Sequence, residues 1–285
     1  MNDTAAAARP AATLILLRDA ADGLEVLMLK RHGQSDVLGG AFVFPGGKVD
    51  DDDARLDAGA HLDAAPQTLH ERLGEPDIDT ATATGLYVAA LREAFEESGV
   101  LLGHALAPAL CADAGARLRA GTSFNAVLAE LGLRLAVGAM APWSRWITPL
   151  RTFNKRFDTR FFVARLPDQG IACHDGHETV ESVWLRPRAA LEIYWDGAMT
   201  LAPPQIMTLA ALARHDGVEA VLAEARGRPP ALVLPHILGE DDARVMCYPG
   251  DEAHSVKERA MPGPLRLFER GQRFEPQAGF DAFFA

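Results

Sequence analysis

The sequence predicts an α/β fold, one mixed domain with helical additions, and three observations carry that reading. Two apolar runs, residues 13–17 and 24–30, flank the turn-forming Asp19-Ala20-Ala21-Asp22-Gly23, the pattern of a β-hairpin. Residues 82–98 follow a strong helical pattern that stops at Gly99, the residue favoured just past a helix C-terminus. Strand-like segments then return at 145–148, 160–165 and 180–185, so both element types alternate along the chain.

Taken in order, residues 1–10 are small, polar and Pro-terminated and read as a frayed tail, with a single domain over 11–285. A glycine-rich stretch, 39–47, follows the hairpin and leads into Asp50-Asp51-Asp52-Asp53. Residues 54–80 carry only Leu56, Leu62, Leu69 and Leu73 as sparse apolar anchors, and are expected to be a partly helical insertion in a loop. Beyond the long helix, 107–119 and 124–131 are expected helices, the second capped by Thr122 or Ser123. Pro187 opens another helix, and 203–226 reads as a helical pair broken near His215-Asp216-Gly217. The C-terminal extension, from about residue 200, ends in short β-like pieces at 231–235 and 244–248.

Composition narrows the function. The 285 residues are 48% hydrophobic and 24% charged, ordinary for a globular protein. A net charge of −11 argues against a broad surface for nucleic acid or anionic lipid. Cys111, Cys173 and Cys247 lie far apart, with neither zinc-ligand spacing nor a disulfide framework, so reduced thiols in a cytoplasm are expected. The apolar run at 11–17 is too short for a membrane span, and the chain is expected to be soluble. A homodimer is compatible with the sequence.

The chemistry concentrates in Leu91-Arg92-Glu93-Ala94-Phe95-Glu96-Glu97-Ser98-Gly99-Val100. On a helix, Glu93, Glu96 and Glu97 share one face, while Leu91 and Phe95 turn to the other to pack on a sheet. Arg92 stands four residues before Glu96 and can pair with it. A glutamate-rich face is usually only solvated. Here, however, the acids fill the last turn, where the helix dipole disfavours each by ~0.3–1 kcal/mol, and no lysine follows to relieve them. A divalent cation would offset that cost, because hard cations take clustered carboxylate oxygens. Upstream, Phe44-Pro45-Gly46-Gly47 can approach a metal or phosphate closely because glycine has no Cβ.

These residues resemble the Nudix signature: Gly, five residues, Glu, seven residues, then Arg-Glu-aliphatic-x-Glu-Glu-x-Gly-aliphatic. Residues 92–100 match its second half, with Ala94 a small aliphatic, and Phe44-Pro45-Gly46-Gly47 matches the usual entry to the first. Asp53 stands where the signature has its first Glu, a residue that supports the loop. Gly47 and Arg92 are 45 positions apart where the uninterrupted signature has 14. Such an interrupted box resembles the branch of peroxisomal coenzyme A diphosphatases of animals and their bacterial relatives, as does Trp146-Ile147-Thr148-Pro149 followed by Arg156-Phe157-Asp158-Thr159-Arg160-Phe161-Phe162. Leu27, Arg31 and Gly40 keep the register of the upstream coenzyme A motif, whereas His32 and Asp36 depart from it.

The resemblance implies a Nudix α/β/α sandwich with a mixed sheet, and hydrolysis of a diphosphate linkage in a nucleoside-diphosphate derivative. It implies Mg²⁺ or Mn²⁺ on Glu93, Glu96 and Glu97, with the Gly46 carbonyl as a further candidate ligand and Arg92 orienting the carboxylates. The general base is left among Glu93, Glu178 and Glu181. Arg31, Gly47, Arg156 and Arg160 are candidate phosphate contacts, with a surface ion pair the alternative for each arginine. Trp143, Trp146 and Phe153 could stack on a base but read better as core. His174 and His177 read as loop residues. Coenzyme A or acyl-coenzyme A is one substrate class; ADP-ribose, NADH or a nucleotide sugar is the other. A non-catalytic nucleotide-binding module is the rival class, against which the three retained glutamates speak.

Overall fold

The hairpin forms as the apolar runs require, with longer arms. β1 (Arg9–Ala20) and β2 (Gly23–Arg31) pair antiparallel at their turn ends, Leu17 opposite Val26 and Ala20 opposite Gly23. The computed structural model describes residues 7–34, 39–103, 107–150, 155–167, 179–240, 243–271 and 273–285. Arg9 and Pro10, expected in a frayed tail, belong to β1. The parallel partner β6 (Phe157–Arg165) runs alongside from Arg9 to Leu17, and the Pro10 carbonyl accepts the Val49 N–H at 3.1 Å. Tertiary hydrogen bonds thus order a segment whose composition alone suggests fraying.

Beyond Leu17 and Val26 the two strands part, and the glycine-rich segment fills the wedge. Its β3 (Phe42–Val43) pairs with β2, and its β4 (Gly46–Lys48) pairs with β1. Three short helices or turns follow: a 3-10 turn at Asp53–Arg55, α1 (Ala58–His61) and α2 (Pro66–Leu73). α3 (Thr80–Ser98) is the long helix, capped by Asp79, which accepts the Thr82 N–H at 2.6 Å, and closed by Gly99 at φ +68°. α4 (Pro108–Arg119) and α5 (Phe124–Leu131) come next, with Ser123 as the cap of α5. β5 (Ala141–Ile147), β6, β7 (Thr179–Leu185) and α6 (Pro187–Trp195) occupy the expected places, each strand longer at its start than its pattern suggests. α7 (Pro203–Leu212) and α8 (Val218–Gly227) break at the expected turn, before β8 (Ala231–Val233).

The main sheet is mixed, in the order β3-β2-β1-β6-β5-β8, with β4 on β1 and β7 on β2. Alternation sends Leu14 and Leu16 to one face and Ile15 and Leu17 to the other. Residues of α2, α3, α4 and α5 fill the first face, and those of α6, α7 and α8 fill the second, which makes the α/β/α sandwich. A second sheet, β9 (His236–Leu238), β10 (Val245–Cys247), β11 (Arg266–Arg270) and β12 (Arg273–Glu275), is antiparallel throughout. Its Met246, Tyr248 and Leu267 join the same core as α7, with Tyr248 edge-on to Trp146 at 5.9 Å.

The insertion differs from its expected loop character. Leu56, Leu62, Leu69 and Leu73 are all buried beneath α3, and the Tyr87 hydroxyl donates to the Leu69 carbonyl at 3.2 Å. Leu69 and Leu73 share a face of α2, but Leu56 and Leu62 lie outside any common helical period with them and meet the same surface only because the chain turns between them. Only the fold reveals that.

Candidate active site

Two glycines set the geometry, because neither position has room for a side chain. A Cβ on Gly46 would lie 2.6 Å from the Ala12 carbonyl and from Thr13 Oγ1, and one on Gly47 would lie 2.5 Å from the Glu93 carboxylate. The wedge segment therefore lies directly against α3. The Gly46 N–H donates to Glu97 Oε2 at 3.0 Å, and Glu97 is only 2% exposed.

Arg92 organises the remaining acids. Its Nε and Nη2 donate to the two oxygens of Asp53 at 2.9 and 3.0 Å, and Nη2 also donates to the Lys48 carbonyl at 2.9 Å. Nη1 reaches Glu93 Oε1 at 2.9 Å and Glu96 Oε2 at 3.2 Å, and Asp50 lies 3.6 Å from the guanidinium. Burial alone would lower the Arg92 pKa. The Asp53 hydrogen bonds and the charges of Glu93, Asp53 and Glu96 outweigh it and hold the group above its ordinary value. Glu96 is pushed up, first by burial and then by Asp53 and Asp50, with Arg92 opposing. Asp53 fills the supporting place expected of it. Its Oδ2 also accepts the Asp50 N–H at 2.8 Å, and the residue is 2% exposed.

One guanidinium thus faces Asp50, Asp53, Glu93 and Glu96, with Glu97 beside them on the helix. Among the described residues, no three acidic, histidine or cysteine side chains already converge as a metal cage, because Arg92 draws Glu93 and Glu96 while Gly46 draws Glu97. The donor set nevertheless fits a hard divalent cation: carboxylate oxygens only, in excess of the local positive charge, in a helical turn that has no basic residue.

The other candidates scatter. Arg31 follows a register shift in the pairing of β2 with β7, and its buried Nε has no hydrogen-bond partner among the described residues. Arg156 donates to the Thr148 carbonyl at 3.0 Å. Arg160, expected as a phosphate contact or surface ion pair, is buried and gripped by Glu75 at 2.5 and 3.0 Å, with Asp158 at 3.0 Å. Its guanidinium is committed to holding the insertion on the sheet. Glu181 is exposed on β7 and 3.5 Å from Lys30. Trp143 and Trp146 are core residues. Glu178, His174, His177, Phe153, Asp36 and Cys173 lie outside the described residues. Sequence reasoning passed over Asp50, the Lys48 carbonyl and Asn125, whose side-chain amide donates to the Asp52 carbonyl at 2.8 Å. No sequence signal marks a contact between residues so far apart.

A mixed sheet between helical layers, with an arginine-organised carboxylate face under a glycine cradle, defines an enzyme suited to diphosphate hydrolysis. The family described as NUDT19 Nudix domain matches residues 81–212. The human acyl-coenzyme A diphosphatase NUDT19 is 30% identical over 274 residues, spanning 82% of this chain and 73% of that protein. Its Gallus gallus counterpart is 27% identical over 279 residues, spanning 81% and 72%. The crystal structure of a NUDIX hydrolase from Alicyclobacillus acidocaldarius is similar at a TM-score of 0.62 and 31% identity, covering 79% of this chain and 97% of that one. The chain belongs to the Nudix hydrolase family and is a Nudix-type diphosphate hydrolase, a class that generally uses divalent metal ions and small nucleotide derivatives. Among the described residues, no helix is long and apolar enough to cross a membrane.

Proposed function

We propose that this enzyme cuts the diphosphate of coenzyme A or an acyl derivative, giving 3′,5′-adenosine diphosphate and 4′-phosphopantetheine from coenzyme A. The observation that carries the chemistry is the carboxylate face of α3, locked by Arg92 and Asp53 against Gly46 and Gly47. The substrate class is supported by the likeness to the human and Gallus gallus acyl-coenzyme A diphosphatases.

Glu93, Glu96 and Glu97, with the Gly46 carbonyl as a further candidate, would hold Mg²⁺ or Mn²⁺. The bound cation would neutralise diphosphate charge and acidify an attacking water. Glu93, the carboxylate nearest the Gly47 backbone, is the first candidate to take that water's proton, with Glu178 and Glu181 the alternatives if the base comes from a later loop. Arg92 holds Glu93 and Glu96 in orientation and stays anchored through Asp53 if either carboxylate leaves it. The Gly47 backbone can approach a phosphate where a side chain could not. Arg31 carries a buried donor with no partner among the described residues, which a substrate phosphate oxygen would satisfy. Arg156 is a second candidate contact, because its planar guanidinium matches phosphate geometry. The free Cys111 and Cys247 fit a reducing cytoplasm. A homodimer is the assembly to test by sedimentation.

The substrate test is kcat/KM for coenzyme A, dephospho-coenzyme A, ADP-ribose and NADH, each with Mg²⁺ and with Mn²⁺. Coenzyme A is expected to lead. A preference of a hundredfold or more for ADP-ribose would sink this substrate assignment and leave the diphosphatase chemistry standing.

A further inference from the structure

In this chain Asp53 and Arg92 are 39 positions apart, so the interruption leaves the Asp50–Arg55 turn tied to α3 only by non-covalent contacts. Two contacts with α3 and one with α5 hold the turn. Asp53 grips Arg92 with both carboxylate oxygens. Gly85 lets Ala54 approach α3 so closely that a Cβ there would meet the Ala54 backbone at 3.0–3.1 Å. From the opposite side, Asn125 Nδ2 donates to the Asp52 carbonyl at 2.8 Å.

The third contact has a rigid origin. Asn125 stands in the first turn of α5, which Ser123 caps and which Phe124, Val127 and Leu128 anchor in the core under the sheet. The Asp52 carbonyl accepts the Arg55 N–H at 3.1 Å along the turn and the Asn125 amide across it, which uses both of its lone pairs. One residue later, Asp53 closes the same turn on the Asp50 N–H and holds Arg92, and Arg92 holds Glu93 and Glu96.

We infer that Asn125 is a positioning residue for the carboxylate face, acting through the Asp52–Asp53 turn and Arg92 on Glu93 and Glu96. Its side chain replaces the restraint that a short box loop would give. The inference rests on the proposed cation site and predicts that releasing the turn weakens cation binding more than it slows the loaded enzyme.

The test is Mn²⁺ binding to the full chain, by calorimetry or by loss of the free-ion paramagnetic resonance signal. Wild type is compared with Asn125→Leu, which keeps the volume and removes the donor, and with Gly85→Ala, which pushes the same turn from its other side. Both variants are expected to weaken Mn²⁺ three- to tenfold, with kcat at saturating metal changed less than threefold. Asn125→Gln, which keeps a donor, is expected to recover part of the loss. In an Asp53→Asn background the effect of Asn125→Leu should vanish, since residues acting through one another are not additive. Should the leucine variant fail to fold, Asn125→Ala removes the same donor and gives the comparison. Wild-type Mn²⁺ affinity in Asn125→Leu, or an undiminished effect in the Asp53→Asn background, overturns the inference. Failure of the wild type itself to bind Mn²⁺ removes instead the cation reading beneath it.

Discussion

Glu97 is the most buried of the three box glutamates, at the end of α3 with the Gly46 N–H on one oxygen. Glu97→Gln keeps the size and an acceptor for that N–H while removing the charge, so the fold should survive. Turnover should fall by about 10²–10³, the scale on which loss of one electrostatic stabiliser acts, and should not recover at high metal. Near wild-type kinetics with unchanged metal dependence would show that the box helix does not perform the chemistry. The residue scale also explains what the sequence left open. The i, i+3, i+4 spacing fixes which carboxylates share a face, but not that Arg92 binds Asp53 more extensively than its helix neighbour Glu96.

Elements add what single residues cannot. As a loop the insertion would be dispensable, because lengthening a loop costs only about 0.6 kcal/mol per doubling. Its four buried leucines reverse that balance: burial of each stabilises by about 1.5–3 kcal/mol. Glu75, between α2 and α3, also faces the buried Arg160 and the neighbouring Arg145 at 2.8 Å. Replacing residues 54–79 by a short linker should therefore abolish cooperative unfolding in denaturant. Retention of a sharp transition with a near wild-type midpoint would restore the loop reading. The amphipathic helices and the hairpin were legible because each carries a period. The insertion was not, because its anchors become one face only after the chain has turned.

At the scale of the whole molecule, the C-terminal extension shares its core with the sandwich, and one ion pair offers a way to observe that unity. Asp251 is buried, and two hydrogen bonds from Arg266, at 2.6 and 2.9 Å, hold its carboxyl below the usual carboxylate range. A depressed folded-state pKa stabilises above the unfolded value, near 4, and that stability is lost as pH falls through the lowered folded value. Asp251→Asn should cost about 1–3 kcal/mol at pH 7, lowering the Tm of a single transition, and the two proteins should converge towards pH 3. A constant difference across that range would deny the pair its role, and a second transition would show the extension unfolding separately.

The sequence by itself determined the family and the chemistry-bearing face. Helical spacing and the two glycines are local patterns, and the Arg-Glu-x-x-Glu-Glu order survives an interruption because it lies wholly within one helix. It also determined most elements, through caps, turns and periodicity. Only the tertiary structure decided which acid holds Arg92, why no side chain fits at Gly46 and Gly47, and where Arg160 is spent. It alone brought Asn125 to the Asp52 carbonyl, 73 positions away. The physical reason is range: periodicity reports neighbours within a few residues along the chain, whereas ion pairs, close backbone approach and burial depend on which distant segments the packed core brings together.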